Sequence, residues 1–368
     1  MVDQTSPLEA EIRRRIAAMG PMPVYEFMQL SLSHPDYGYY MTRDPFGRTG
    51  DFTTAPEISQ MFGELIGLWA AEVWRMMGEP SAVGLIELGP GRGTLMRDAL
   101  RAAQVVAAFR KAIRLHLVET SPVLTQHQRA TLGDFAVPIQ WHRSLAEVPD
   151  AAAIIIANEF FDALPVHQIV KRIDGWHERV VRLDDGDRLA FGLADQQLSA
   201  FQQAIPSGVA DAPVGSVYEW RSDQMAIEVC RRCLRGGAAL VIDYGHIESA
   251  IGDTLQAVRR HRYDDPLAAP GSADLTAHVD FCALARSAED VGARTHGPIT
   301  QARFLRRLGI EARAAALRRC APPERTSQIN AALTRLTAGG ERGMGTLFKV
   351  IGFSHPRLDT LPGFAELS

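Results

Sequence analysis

One ten-residue stretch constrains this chain more than any other: Leu85-Ile86-Glu87-Leu88-Gly89-Pro90-Gly91-Arg92-Gly93-Thr94, an apolar strand that runs into a glycine turn and opens a helix. Glycine admits positive φ and lets the backbone pass close to a ligand, and the amides at a helix start offer donors to an anionic group. The stretch therefore predicts a nucleotide-like ligand held by backbone, with a plain ligand-free turn as the alternative. A dinucleotide fingerprint places glycine at the sixth position of Gly-x-Gly-x-x-Gly. Thr94 stands there instead, which argues against an NAD-dependent oxidoreductase on the same kind of sheet.

Around this turn the chain alternates strand and helix as a parallel sheet requires. The pattern predicts strands at 83–88, 113–119, 137–141, 153–158 and 238–243, helices at 94–109, 122–131 and 222–234, and a closing strand within 346–353. The expected fold is α/β, a Rossmann-like doubly wound sheet with an N-terminal helical cap and insertions after strands 4 and 5. Residues 1–80 read as the cap and an active-site loop, and 81–368 as the core, with insertions at about 168–220 and 247–277. In the cap, 7–29 is helical and broken by Pro21 and Pro23, 34–56 reads as a long ordered loop, and 58–77 is amphipathic. Within the first insertion, 168–193 alternates apolar and polar around Asp174-Gly175 and 184–187, the pattern of a small antiparallel ribbon.

Composition narrows the function class. With 368 residues, 46% of them hydrophobic, a large core can be buried. A net charge of −4 disfavours a protein whose main work is gripping nucleic acid. Apolar runs such as 151–157 are too short to span a bilayer. Four cysteines without a secretion signal point to a reducing compartment. Asp3, Glu9 and Glu11 near the start suit neither a signal peptide nor a mitochondrial presequence, so a bacterial-type cytoplasmic setting is expected.

The Gly-x-Gly-x-Gly form at Gly89, Gly91 and Gly93, with Glu87 two residues upstream, resembles that of class I methyltransferases, in which the acidic side chain lies close to the methionyl ammonium of S-adenosylmethionine. Glu119, at the end of the second strand, fits the acidic residue that accepts both ribose hydroxyls. Five motifs in order extend the likeness: Gly50-Asp51-Phe52-Thr53-Thr54-Ala55-Pro56-Glu57, the loop from Glu87 to Gly93, Asn158-Glu159-Phe160-Phe161-Asp162-Ala163-Leu164-Pro165, Ile242-Asp243-Tyr244-Gly245, and Asp274-Leu275-Thr276-Ala277-His278-Val279-Asp280-Phe281. Together they resemble the MidA-like methyltransferases, relatives of the mitochondrial complex I assembly-factor methyltransferase, from about Pro23 to the end. The resemblance implies a class I methyltransferase fold, S-adenosyl-L-methionine as cofactor, and ω-N-methylation of a protein arginine in a complex I subunit.

Methyl transfer from a sulfonium is an in-line displacement, and positioning alone can supply about 7–11 kcal/mol. An arginine acceptor is protonated in free solution, so carboxylates must orient it and receive a proton. Glu159 and Asp162 follow the fourth strand at its carboxyl end, where ligands of such sheets bind, and are the expected guanidinium-facing groups; capping the turn before Pro165 is their alternative. Asn158 is assigned to the cofactor. Asp51 and Glu57 either close over the cofactor and complete the acidic pocket, or act locally, Asp51 in loop hydrogen bonding and Glu57 as a charge at an N-capping turn. Tyr244 either lines the acceptor channel or packs structurally. His278 is a candidate proton acceptor; with Asp274 and Asp280 it lacks further ligands for a metal, and none is expected. Cys230 and Cys233 read as helix packing, and Arg259-Arg260-His261-Arg262 as a solvated face. A catalytically silent assembly factor and a methyltransferase of small molecules remain the rival readings.

Overall fold

The computed structural model describes residues 5–45, 53–198, 205–340 and 343–365. The chain forms two compact units: Met1–Phe52 with Asp162–Ser222 and Glu248–Asp280, and Thr53–Phe161 with Asp223–Ile247 and Phe281–Ser368. Residues 53–80, grouped with the cap in the sequence, cluster with the sheet.

The larger unit is built on strands β1 (Val83–Leu88), β2 (Ile113–Val118), β3 (Ile139–His142), β4 (Ala153–Asn158), β5 (Ala238–His246), β6 (Arg294–Thr300) and β7 (Phe348–Ser354), in the order β6-β7-β5-β4-β1-β2-β3. Pairings from β5 through β4, β1 and β2 to β3 are parallel, and β7 runs antiparallel to both β5 and β6. Every residue of β4 is buried, as expected where helices cover both faces. The chain starts at β1, winds outward to β3, and returns to β4 on the other side of β1. That reversal is the switch point where doubly wound sheets bind ligands, and the glycine turn and Asn158 leave the sheet on its two sides.

The helix after 58 begins at Gln60 and runs to Met76, burying Phe62, Leu65, Ile66, Trp69 and Trp74 as its periodicity predicts. Gly67 lets it lie directly on Thr94–Ala103, since a Cβ there would come within 2.4 Å of the Ala99 carbonyl. The helix expected to reach 109 stops at Ala103 and resumes over Ala107–Ala112. The β-branched pair Val105-Val106 occupies the break, and Val106 adopts φ −108°. The third strand starts at Ile139, two residues later than expected.

The smaller unit packs Pro7–Met19 and Val24–Ser33 around Leu8, Ile12, Phe27, Met28 and Leu32. Its five-stranded antiparallel sheet contains the ribbon: His167–Arg172, Gly175–Leu183 and Leu189–Gln197, with turns at both places the sequence marks. The stretch 34–56, expected to lack regular elements, contains two one-turn helices, Tyr39–Thr42 and Ala55–Ile58. The second insertion forms a three-stranded sheet from Gln256–Arg259, Arg262–Asp264 and Asp274–Thr276.

Candidate functional site

Gly89, Gly91 and Gly93 all adopt positive φ, at 60°, 53° and 79°. Side chains would be strained at each, and at Gly89 a Cβ would also press within 3.0 Å of the Phe160 ring. Gly93 is the N-cap of Thr94–Ala103, so the turn delivers the first free amides of that helix to the switch point.

Three polar side chains gather at the carboxyl ends of β1, β2 and β4. Glu87 is buried, its Oε2 without a hydrogen-bond partner among the described residues, and burial together with the charge of Glu119 pushes its carboxyl up to about 8. Asn158 donates through Nδ2 to Glu159 Oε1 at 3.1 Å, while its buried Oδ1 has no partner among the described residues. Glu119 is raised to about 7 by burial, against the pull of hydrogen bonds from Ser121 and Gln128. Its Oε1 accepts from the Ser121 amide at 2.8 Å and its Oε2 from Gln128 Nε2 at 3.1 Å. A buried acceptor left unpaired costs about 1–3 kcal/mol. Two of them on adjacent strands are what a site for a donor-bearing ligand leaves open.

The turn after β4 is strained. Glu159 has φ 50°, held by its amide bonding to Ile242 O at 2.9 Å. Asp243, wholly buried, accepts from the amides of Phe160 and Phe161 through Oδ2 and from that of Tyr244 through Oδ1. A non-glycine residue at positive φ costs about 1–3 kcal/mol and persists where its surroundings over-determine it. Glu159 Oε1 also accepts from the Ala55 amide at 3.0 Å, and the Glu57 carboxylate takes the hydroxyl of Thr94. The segment 53–58 is thus fastened to the β4 turn at one end and to the glycine-turn helix at the other. Tyr244 is partly buried with its ring edge on Phe348, 5.5 Å between centroids.

In the smaller unit, Asp162 is buried and its Oδ1 accepts from the amide of the next residue, Ala163, at 2.9 Å. Arg221 donates to the carbonyls of Asp162, Leu164, Ala277 and His278, tying the end of the fourth-strand motif to the Asp274–Phe281 motif. Tyr40 donates to Asp274 Oδ1 at 2.8 Å, and its phenol is pushed well above 10 by burial and by the charges of Asp274 and Asp162. The His278 amide donates to Thr254 Oγ1, and Asp280 accepts from Ser249. Asp51 lies outside the described residues.

Cys230 and Cys233 are buried in the helix Gln224–Cys233, and burial pushes the Cys230 thiol up to about 12. Arg259 pairs with Asp264 across its hairpin. Gln128, Asp243, Arg221, Tyr40 and Asp274 carry no functional assignment in the sequence, although Asp243 and Asp274 sit inside its motifs. A cavity of about 550 Å³ is lined by Glu57, Thr94, Arg97, Cys320 and Arg325 among others, and by none of Glu87, Glu119 and Asn158.

Residues 65–299 match the model of a family described as S-adenosyl-L-methionine-dependent methyltransferase. The chain belongs to this family. Its relatives include the mitochondrial protein arginine methyltransferase NDUFAF7 homolog of Drosophila melanogaster, 38% identical over 94% of this chain and 84% of that protein. Human NDUFAF7, named likewise, is 38% identical over 84% of this chain and 74% of its own. A crystal structure of a protein from Burkholderia thailandensis, described as a methyl transferase on likeness and bound to S-adenosyl-homocysteine, superposes with TM-score 0.86 at 30% identity, covering 99% of this chain and 95% of that one. A native structure from the same organism gives 0.83 at 31%.

This is a methyltransferase that uses S-adenosylmethionine, and its switch-point residues fit that cofactor. The unpaired Glu87 Oε2 and Asn158 Oδ1 offer acceptors for an ammonium, Glu119 offers a carboxylate for sugar hydroxyls, and the three positive-φ glycines allow close backbone approach. The cofactor supplies an electrophilic methyl group on sulfur.

Proposed function

We propose that this methyltransferase modifies an arginine side chain of a protein, with a subunit of respiratory complex I as the acceptor. The observation that carries the reading is the 38% identity, over 94% of the chain, to a relative named as a protein arginine methyltransferase. The carboxylates present suit the chemistry. Glu159, fixed by a strained backbone at the carboxyl end of β4, orients the guanidinium and spreads its charge, and Asp162, three residues later in the chain, is the second candidate carboxylate. A carboxylate takes the proton as the nitrogen is alkylated; His278 is a further candidate for accepting it, and Asp51 for completing the acidic pocket. In the same reading Glu87 and Asn158 hold the amino-acid end of the cofactor, and Glu119 its ribose.

The test is incubation of the protein with methyl-labelled S-adenosylmethionine and lysate from cells lacking it, followed by mass mapping. A methylated arginine in one protein band, lost with Glu159→Gln and Asp162→Asn, is expected. Label in a metabolite or lipid with no protein band refutes the acceptor assignment.

A further inference from the structure

Gln128 lies on the helix Pro122–Leu132, wholly buried, with its side chain beneath the glycine turn. Its amide orientation is fixed by chemistry on both sides. The indole N–H of Trp141 can only donate, and it stands 3.0 Å from Oε1; the Gly91 carbonyl can only accept, and it stands 2.8 Å from Nε2. The indole is itself held by Arg129, whose guanidinium lies 4.0 Å above the ring. So oriented, Nε2 also donates to Glu119 Oε2 at 3.1 Å. Ser121 supplies a further donor, to Oε1, the Thr120 amide adds a smaller pull, and a carboxylate's roughly four lone-pair sites still leave room for a hydroxyl donor.

We propose that Gln128 is a positioning residue for the cofactor: it sets the Glu119 carboxylate as an acceptor for the sugar hydroxyls and locks the Gly91 peptide in the same act. The inference rests on the reading that Glu119 holds the ribose. A proton on Glu119 Oε2 would meet the Gln128 N–H donor head-on, so the amide favours the ionised carboxylate that accepts from hydroxyls. Burial raises the Glu119 carboxyl to about 7 and the Gln128 bond opposes it, so removing the amide shifts the carboxyl further up.

The test is calorimetric binding of S-adenosylhomocysteine and of its 2′,3′-dideoxy analogue to the full chain, between pH 7 and 9. For Gln128→Leu the expected loss toward S-adenosylhomocysteine at pH 7 is about ten- to a hundredfold, the size of one hydrogen bond to a charged group. Most of it returns by pH 9, and the dideoxy analogue loses much less. Trp141→Phe keeps the amide but removes its orienting donor, and is expected to lose less in the same direction; it decides the matter if Gln128→Leu does not fold. Equal losses toward both ligands, or no recovery with pH, overturn the proposal. Wild-type protein and Glu119→Gln binding the two ligands equally well would instead remove the ribose reading beneath it.

Discussion

Glu87 stands on β1 and Glu119 directly follows the adjacent parallel strand β2, and the charge of Glu119 adds to burial in raising the Glu87 carboxyl to about 8. With Glu119 itself raised to about 7, the ligand-free crevice takes up protons near neutral pH. Both shifts are upward, so the folded chain binds more protons than the unfolded chain above the usual carboxylate range. Their contribution to stability is therefore full below about 4.5 and is lost as pH rises through 7 and 8. The melting temperature of the ligand-free protein is expected to fall over that window, and Glu87→Gln to flatten the fall. A cationic cofactor reverses the penalty, so protection by S-adenosylmethionine grows with pH; protection that is flat from pH 6 to 9 contradicts this.

Gly91→Val places a β-branched residue at φ 53°, where non-glycine backbone is disfavoured by about 1–2 kcal/mol and the side chain enters the path of the ligand. Cofactor binding is expected to vanish while the fold persists by circular dichroism. Cells carrying the variant should lose the function. Full complementation without binding would favour the silent assembly-factor reading.

Asp243→Asn leaves an amide N–H facing the Phe160 and Phe161 donors, or the Tyr244 donor if the side chain flips. A buried charged acceptor with three backbone partners is lost, at a cost of about 2–4 kcal/mol in chemical denaturation. The β4 turn loosens with it, so activity should drop more than stability alone explains. A change below about 0.5 kcal/mol would show that the turn holds itself.

Much of the larger unit was legible because its signals are local. Positive φ at three glycines is a demand of the turn itself, and β4 is a continuous apolar run. The stretch from 281 to 340 was not. Ile310–Arg319 buries only Ile310 and Ala314, too thin an apolar stripe to announce a helix, and β6 is interrupted by Gly297-Pro298. In the site, Glu87, Glu119 and the glycines were readable from spacing. Gln128 was not, because its partner Gly91 lies 37 residues away and nothing in an amphipathic helix marks one glutamine. The anchoring of Ala55 by Glu159 spans 104 residues and is likewise invisible along the chain.

Glu159 holds Ala55 through one oxygen, and the Gln variant keeps an acceptor there while removing the charge. Glu159→Gln should therefore melt within about 0.5 kcal/mol of wild type yet lose turnover by about 10²-fold or more, the usual range for a lost acid–base group. Glu159→Ala should lose both. Unchanged kcat in Glu159→Gln would restrict the residue to anchoring the 53–58 segment.

The most direct measurement is a crystal structure of this chain soaked with S-adenosylhomocysteine. The expected density places both sugar hydroxyls on Glu119, the ammonium beside Glu87 Oε2 and Asn158 Oδ1, and the backbone of Gly89 to Gly93 against the ligand. Density elsewhere, or a sugar that leaves Glu119 without contact, contradicts the assignment of this crevice.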